Sequence, residues 1–374
     1  MLRLLAAMVC FVTLAAQAQM PQAPQVMARS WIVADLTSNQ ILAAEKPDER
    51  VEPASLTKLM TAYLVFTALK EKAIALDQPV AVSERAWRAP GSRMFIQPGR
   101  PVTVEELIRG MVVQSGNDAC IALAELVAGS EERFAERMNR EAARLGMRNT
   151  RFANASGLPD PQHYSTARDL YLLAAALIRD FPREYATYYS QKEFRYNNIT
   201  QPNRNRLLWL DPTVDGVKTG YTEAAGYCLI ASSRRGERRL LSVLLGSTSE
   251  ATRAQESQKL LNWGFQAFDA VRLYGAADTV KEIEVWKGVA NKVRTGVASD
   301  LFVTVPKGLA EKVRAELLAQ SPLVAPVAAG QRVGVLRVAL EGRILGEYPL
   351  VARESVGEAG LLGRAWDTLR LWLK

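Results

Sequence analysis

Three short motifs follow one another along this chain of 374 residues, and each carries a side chain able to act in acyl transfer. They are Ser55-Leu56-Thr57-Lys58, Ser115-Gly116-Asn117 and Lys218-Thr219-Gly220. A lysine three residues after a serine lies on the same face of a helix, so a neutral lysine amine can accept the serine proton. The motifs therefore indicate a serine nucleophile that uses lysine, instead of histidine, as its base.

No one of these motifs is specific by itself, because Ser-x-x-Lys is expected about once by chance in a few hundred residues. Arg294-Thr295-Gly296 nearly repeats the third motif. The structural alternatives are a serine N-cap followed by a surface lysine at Ser55, and a simple N-cap at Asn117. The order of the motifs, their wide separation and the local context of each favour one shared site.

The segments around the motifs predict the elements that position them. Pro53 and the apolar residues after Ser55 predict a helix whose opening turn holds the serine. A capping box that begins at Thr103 predicts a helix ending before the second motif, which leaves that motif in a loop between helices. A predicted hairpin directly after the third motif places that motif on or beside a strand, where an extended substrate can pair.

The combination SxxK, SxN and KTG resembles the signature of penicillin-binding proteins and serine β-lactamases. Nearly the whole chain is similar to the low-molecular-weight penicillin-binding proteins of the serine-type D-Ala-D-Ala carboxypeptidase family, peptidase family S11. The resemblance implies an α+β fold with a β-lactamase/transpeptidase-like catalytic domain, in which helices flank an antiparallel sheet. A small β-rich domain and a C-terminal amphipathic helix are expected to follow. It implies no cofactor.

The resemblance also implies a role for each motif residue. Ser55 is expected to form the acyl-enzyme, Lys58 to act as general base, and Ser115 to carry the proton to the leaving group. Asn117 and Lys218 complete the catalytic set. Four further residues are expected to bind substrate, and the two arginines match positions near the substrate carboxylate in related carboxypeptidases: Thr219, Gly220, Arg204 and Arg253.

The implied activity is removal of the terminal D-Ala from peptidoglycan stem pentapeptides, with β-lactam antibiotics as covalent inhibitors. Arg204 and Arg253 are expected to converge on the free C-terminal carboxylate of the substrate, which favours a carboxypeptidase over an endopeptidase. Two alternatives stay open, a DD-endopeptidase that cleaves peptidoglycan cross-links and a non-catalytic protein that binds wall peptides or penicillin. Tyr221 follows the third motif where relatives often have histidine, which leaves substrate preference open. No ExxLN-type glutamate occurs between Arg151 and Arg168, so slow release of penicillin is expected.

Residue counts exclude other kinds of site. His163 is the single histidine of the chain, so neither an HExxH zinc site nor a two-histidine metal site can form. His163 itself is predicted to be a loop residue without a catalytic role. The absence of a GxSxG motif excludes the usual α/β-hydrolase site. Cys120 and Cys228 are expected to be free thiols.

The chain ends predict export and membrane contact. Residues 1–18 have the charge, apolar core and Ala-x-Ala site of a signal peptide. The expected domains are then 19–272 for catalysis, 275–352 for the β-rich domain, with a short helix at Val313 to Leu318, and 355–374 for an amphipathic helix. That helix suits an anionic bilayer surface, with packing on its own domain as the alternative. The predicted location is the periplasmic face of the inner membrane, held peripherally.

Positive charge also raises the question of nucleic-acid binding. Lys and Arg number 47 against 39 Asp and Glu, which gives a net charge of +8. No aromatic residues interleave with the basic clusters as they do in single-strand binding grooves. Nucleic acid is therefore not an expected partner.

Overall fold

The computed structural model describes residues 20–372, so the signal-peptide prediction for residues 1–18 lies outside the described residues. The chain divides into two compact units. One consists of residues 23–270, and the other includes the chain from residue 271 onward. Together they give the mixed α+β fold that was predicted, with a second β-rich part.

An antiparallel sheet of five strands forms the centre of the first unit. The strands of this unit are β1 (Ser30–Asp35), β2 (Gln40–Glu45), β3 (Pro79–Val80), β4 (Val102–Thr103), β5 (Glu193–Tyr196), β6 (Ile199–Pro202), β7 (Val214–Thr222), β8 (Gly226–Arg235) and β9 (Arg238–Ser247). The order in the central sheet is β2-β1-β9-β8-β7, while β3 pairs with β4 and β5 with β6. Strand β7, which holds the third motif, is therefore at one edge of the central sheet, where an extended peptide can add to it.

Helices cover this sheet and bury its apolar side chains. They are α1 (Lys58–Lys70), α2 (Glu84–Trp87), α3 (Val104–Val113), α4 (Asn117–Ala128), α5 (Glu131–Arg144), α6 (Ala167–Asp180), α7 (Pro182–Tyr188), α8 (Leu207–Leu210) and α9 (Glu250–Ala267). Helix α1 is apolar and buried around most of its circumference, because α3, α4, α5 and α6 all pack near it. A helix surrounded in this way holds the first motif rigidly.

Two helix starts show how local sequence sets the geometry. Thr103 forms the predicted capping box, in which its hydroxyl accepts from the Glu106 backbone N–H and the Glu106 carboxylate accepts from the Thr103 N–H. Helix α9 begins at Glu250, because the Ser249 hydroxyl caps it by accepting from the Thr252 N–H. Arg253 consequently lies within the first turn of α9.

The second unit is built from β-strands. They are β10 (Phe268–Tyr274), β11 (Lys281–Trp286), β12 (Lys292–Gly296), β13 (Leu301–Pro306), β14 (Val313–Ala319), β15 (Leu323–Val324), β16 (Arg332–Leu340) and β17 (Arg343–Ala352). Six of them form a sheet in the order β14-β16-β17-β12-β11-β15, and β10 pairs with β13. Arg294-Thr295-Gly296, the near-copy of the third motif, lies on β12, where the Thr295 hydroxyl donates to the Lys281 carbonyl at 2.6 Å.

The predicted short helix at Val313 to Leu318 is wrong. This segment is strand β14, which pairs antiparallel with β16 over its whole length, from Val313 opposite Leu340 to Ala319 opposite Gly334. Six residues of mixed polarity fit either periodicity, and the ladder of backbone hydrogen bonds from the neighbouring strand outweighs the helical preference of Ala, Glu and Leu.

A last helix, α10 (Leu361–Trp372), follows the second sheet and begins six residues after the predicted start at 355. Its apolar side chains are exposed, including 84% of Trp372 and 88% of Leu362. Within residues 20–372, no helix combines the length and the apolar character needed to cross a bilayer.

Candidate active site

Ser55 lies in a tight 3-10 turn, residues Ala54–Thr57, that leads directly into α1. Lys58 begins the α-helix, and its Nζ donates to Ser55 Oγ at 2.9 Å. The spacing of three residues in a continuous helical turn is what brings the two side chains together. The pair has the separation needed for direct proton transfer between serine and lysine.

Lys58 is almost completely buried, with 1% of its surface exposed. Its Nζ also donates to Asn117 Oδ1 at 2.7 Å and to the Ser156 carbonyl at 2.6 Å. Burial lowers the pKa of Lys58 to about 8, and the positive charge of Arg204 acts in the same direction. A lysine with this pKa is partly neutral near neutral pH, which is the form that can act as a base.

A second lysine and serine face the same site. Lys218 on β7 donates from Nζ to Ser115 Oγ at 3.0 Å and to the Thr219 carbonyl at 3.0 Å. Burial lowers the pKa of Lys218 well below its usual value, and the charges of Lys58 and Arg204 lower it further. Ser115 has a left-handed backbone with φ of 69°, in the loop between α3 and α4. Such strain in a non-glycine residue is common at active sites.

Asp118 organises the loop that forms one wall of the site. Its buried carboxylate accepts from four backbone N–H groups, those of Met94 at 3.0 Å, Phe95 at 2.8 Å, Ile96 at 3.3 Å and Ala119 at 2.9 Å. Burial raises the pKa of Asp118, and these N–H donors oppose that rise. The carboxylate therefore fixes the chain around residues 94–96 against the start of α4.

A second loop, residues 153–163, contains the Ser156 carbonyl that accepts the hydrogen bond from Lys58 Nζ. Asn154 Oδ1 accepts from the backbone N–H groups of Ser156, Gly157 and Leu158. Gly157 has φ of 84°, and a Cβ on it would lie 1.8 Å from the Ala54 carbonyl oxygen. Glycine is thus required where this loop passes the turn that carries Ser55.

The buried side chain of Arg253 and two tyrosine rings lie next to the third motif. Arg253 is buried, donates weakly to the Gly220 and Arg204 carbonyls at 3.4 Å, and pairs with Glu250 at 2.7 Å. Its guanidinium lies over the Tyr227 ring, 5.6 Å from the centroid. Tyr221 is half-exposed and packs on Tyr227 with centroids 4.4 Å apart. Two tyrosine rings and an arginine therefore form this end of the site.

These groups line one cleft of about 350 Å³. All three motifs contribute, and the two predicted arginines lie at the same cleft. The lining residues of greatest interest are Ser55, Ser115, Asn117, Thr219, Gly220, Tyr221, Arg204, Arg253 and Glu250. Lys58 and Lys218 lie behind the lining, each bonded to its serine. The structure thus brings every predicted site residue to one place.

Comparison with known protein families assigns this chain to one of them. A family model described as D-alanyl-D-alanine carboxypeptidase, Peptidase S11, matches residues 17–249. The chain belongs to this family. A second model, described as the C-terminal domain of penicillin-binding protein 5, matches residues 268–358.

Individual relatives agree with this assignment. The chain is 45% identical over 357 residues to D-alanyl-D-alanine carboxypeptidase DacC of Escherichia coli, which covers 93% of this chain and 89% of the relative. Penicillin-binding protein 5 from Haemophilus influenzae has a similar structure, with a TM-score of 0.86 and 42% identity over 90% of this chain and all of that one. Penicillin-binding protein D2 from Listeria monocytogenes, solved in an ampicillin-bound form, gives a TM-score of 0.60 and 30% identity over 66% of this chain and all of that one.

Four polar residues that support the site were not recognised in the sequence: Asp118, Asn154, Ser156 and His163. Asp118 directly follows the second motif, and its only sequence signal is that of a helix cap. Asn154 and Ser156 act through loop hydrogen bonds that residue spacing does not reveal. His163 does lie in a loop, as predicted, but it is buried. Cys120 and Cys228 are the buried free thiols that were predicted, and burial raises the pKa of both.

Proposed function

We propose that this member of the S11 family is a serine-type D-Ala-D-Ala carboxypeptidase that removes the terminal D-Ala of peptidoglycan pentapeptides. The observation that carries the proposal is the bond from buried Lys58 to Ser55 in a cleft that ends at two arginines. A nucleophile with its base performs acyl transfer, and the arginines attract a free carboxylate. A substrate that ends one residue beyond the scissile bond satisfies both features.

In the first step, neutral Lys58 takes the Ser55 proton while Ser55 Oγ attacks the carbonyl carbon of the penultimate D-Ala. The amide carbonyl becomes an oxyanion, which is favoured by the positive N-terminal end of the turn that carries Ser55 and continues into α1. Asn117 links Lys58 to the segment that contains Pro90. Its Oδ1 accepts from Lys58, and its Nδ2 donates to the Pro90 carbonyl at 2.7 Å. It thus keeps the base in place as its charge changes.

In the second step, the C–N bond breaks and the proton that Lys58 took from Ser55 passes through Ser115 to the leaving amine, while Lys218 stays hydrogen-bonded to Ser115. The Thr219 hydroxyl, Arg204 and Arg253 bind the departing carboxylate, and Gly220 allows the substrate backbone to approach β7 closely. Water then hydrolyses the ester on Ser55. β-Lactams acylate the same serine. Glu250, the one carboxylate lining the cleft within residues 20–372, is paired with Arg253, so no free carboxylate hastens their release.

Ser55→Ala should abolish D-Ala release, because the variant lacks the atom that forms the ester. The assay follows D-Ala release from a pentapeptide ending in D-Ala-D-Ala, and cleavage of a cross-linked dimer, for the wild type and the variant. Ser190→Ala, at an exposed serine on the surface, serves as the matched control. Release from the pentapeptide that disappears only in Ser55→Ala supports the proposal. Dimer cleavage would favour an endopeptidase, and no Ser55-dependent activity would favour a binding protein.

We also propose that residues 1–18 direct export and that α10 holds the enzyme on the periplasmic face of the inner membrane. The polar side of α10 faces its own unit: Asp367 accepts from the Lys287 N–H at 2.7 Å, and Arg370 lies over the Trp286 ring at 5.3 Å. Its apolar side is left exposed, with Trp366 63% exposed. A helix that docks by its polar side presents Trp and Leu outward, as contact with a bilayer surface requires.

Replacing Trp366 and Trp372 together by serine should weaken binding to vesicles containing anionic lipid about tenfold or more, because two large apolar side chains lose their contact with the bilayer. Cosedimentation with vesicles measures the change. Ile344→Ser removes an exposed apolar residue from the same unit and is the control. Unchanged sedimentation of the double variant would refute the anchoring proposal.

A further inference from the structure

His163 is buried directly behind the turn that carries the nucleophile. Only 3% of the surface of His163 is exposed, and its Nε2 lies 2.9 Å from the Thr57 hydroxyl, which is fully buried. Thr57 stands between Ser55 and Lys58 in the first motif. The histidine does not line the catalytic cleft and has no role in the chemistry proposed above.

The hydrogen bonds fix the tautomer of this imidazole. The Ala153 backbone N–H donates toward Nδ1 at 3.4 Å, so Nδ1 carries the lone pair and Nε2 carries the proton. Nε2–H therefore donates to Thr57 Oγ1. Burial lowers the pKa of His163 to about 4, so the ring stays neutral under ordinary assay conditions. Phe152 meets the ring edge-on at 5.7 Å and holds its orientation.

The imidazole connects two segments that must stay in register for catalysis. Thr57 belongs to the turn with Ser55 and Lys58. The loop of residues 153–163 carries the Ser156 carbonyl, which accepts from Lys58 Nζ at 2.6 Å. One turn further along α1, Thr61 also contacts this loop, donating from Oγ1 to the Ala155 carbonyl at 2.6 Å. Ala155 and Ser156 lie between the two ends of the segment that His163 closes.

We propose that His163 is a positioning residue for the serine–lysine pair, acting through its Nε2–H bond to Thr57. This inference rests on the proposed function. Without the bond, the turn and the loop can separate, and Lys58 no longer lies between Ser55 Oγ and the Ser156 carbonyl in one fixed geometry. Small displacements of this kind reduce the rate of the chemical step while leaving substrate contacts in the cleft intact.

Two amide substitutions separate positioning from simple core filling. His163→Gln places an amide NH₂ near the position of Nε2, so it can still donate to Thr57, whereas the shorter side chain in His163→Asn cannot reach it. We expect kcat for D-Ala release to fall about tenfold or more in His163→Asn with KM unchanged, and to recover to within about threefold of wild type in His163→Gln. Thermal unfolding of each variant reports stability separately.

A second pair tests the same bond from the other side, in case the histidine variants do not fold. Thr57→Ser keeps the hydroxyl, whereas Thr57→Val keeps the shape and removes it, so only Thr57→Val should lose kcat. Equal kcat in Asn and Gln variants, or in Val and Ser variants, would overturn the inference. If the wild type itself shows no Ser55-dependent release, the proposed function fails instead, and the two failures are distinguishable.

Discussion

Replacing Lys58 by methionine should reduce acylation of Ser55 by a penicillin about 10³-fold or more. Methionine fills a similar volume, but it has no amine to take the serine proton and makes no bond to Ser55. The substitution also leaves the Asn117 and Ser156 oxygens without their donor. The second-order rate constant for labelling with a fluorescent penicillin measures the loss. Lys70→Met, at the exposed end of the same helix, is the matched control.

The pH dependence of the wild-type enzyme should identify the same group. Only the neutral amine can accept a proton, and the pKa of Lys58 is lowered to about 8 by burial. The neutral fraction rises about tenfold for each pH unit below that value and levels off above it. Acylation should therefore accelerate from pH 6 to pH 8 and then flatten, while the residual rate of Lys58→Met lacks this rise. A wild-type rate that declines over this range would contradict Lys58 as the base.

The motifs carried most of the information about chemistry, because each places its own reactive groups by local geometry. Helical spacing brings Ser55 and Lys58 together. The positions of Thr219 and Gly220 follow from the strand predicted to carry the third motif. That Lys218 donates to Ser115 depends on β7 facing the loop after α3, which no local pattern expresses. The family resemblance gave only the expectation that both residues belong to one catalytic set. The fold class followed from the same resemblance and from the hairpins around β8 and β9.

What could not be predicted depends on contacts between distant segments. The sequence of β14 by itself is compatible with a short helix, and it is the pairing with β16 that makes this segment a strand. Asp118 looks like an ordinary helix cap, yet it binds the backbone of residues 94–96. His163 looks like a loop residue, yet it is buried against Thr57. Side chains that serve the site by holding other side chains have no sequence spacing of their own, so the structure is needed to find them.

Gly157→Ala should damage both stability and catalysis, because the added Cβ would lie 1.8 Å from the Ala54 carbonyl oxygen. The clash is between the backbone of Ala54 and a Cβ attached directly to the backbone of the loop, and neither can move aside as a flexible side chain would. The loop and the turn with Ser55 must therefore move apart. The left-handed φ of 84° adds to the cost. We expect a loss of about 3 kcal/mol or more and a fall in Tm of about 10 °C. Acylation by penicillin should slow at least about tenfold, since Ser55 adjoins Ala54.

Gly146→Ala separates the two causes. Gly146 has nearly the same φ, 81°, but no atom lies within 4 Å of its Cβ position. The control should thus show only the cost of a left-handed alanine, about 1–2 kcal/mol, with normal acylation. Thermal unfolding and penicillin labelling of both variants test this. If Gly157→Ala resembled Gly146→Ala in both measurements, close contact between the loop and the turn would not govern the position of Ser55. A larger loss confined to Gly157→Ala would mean that the absence of a single Cβ is what lets the loop carrying the Ser156 carbonyl pack against the nucleophile.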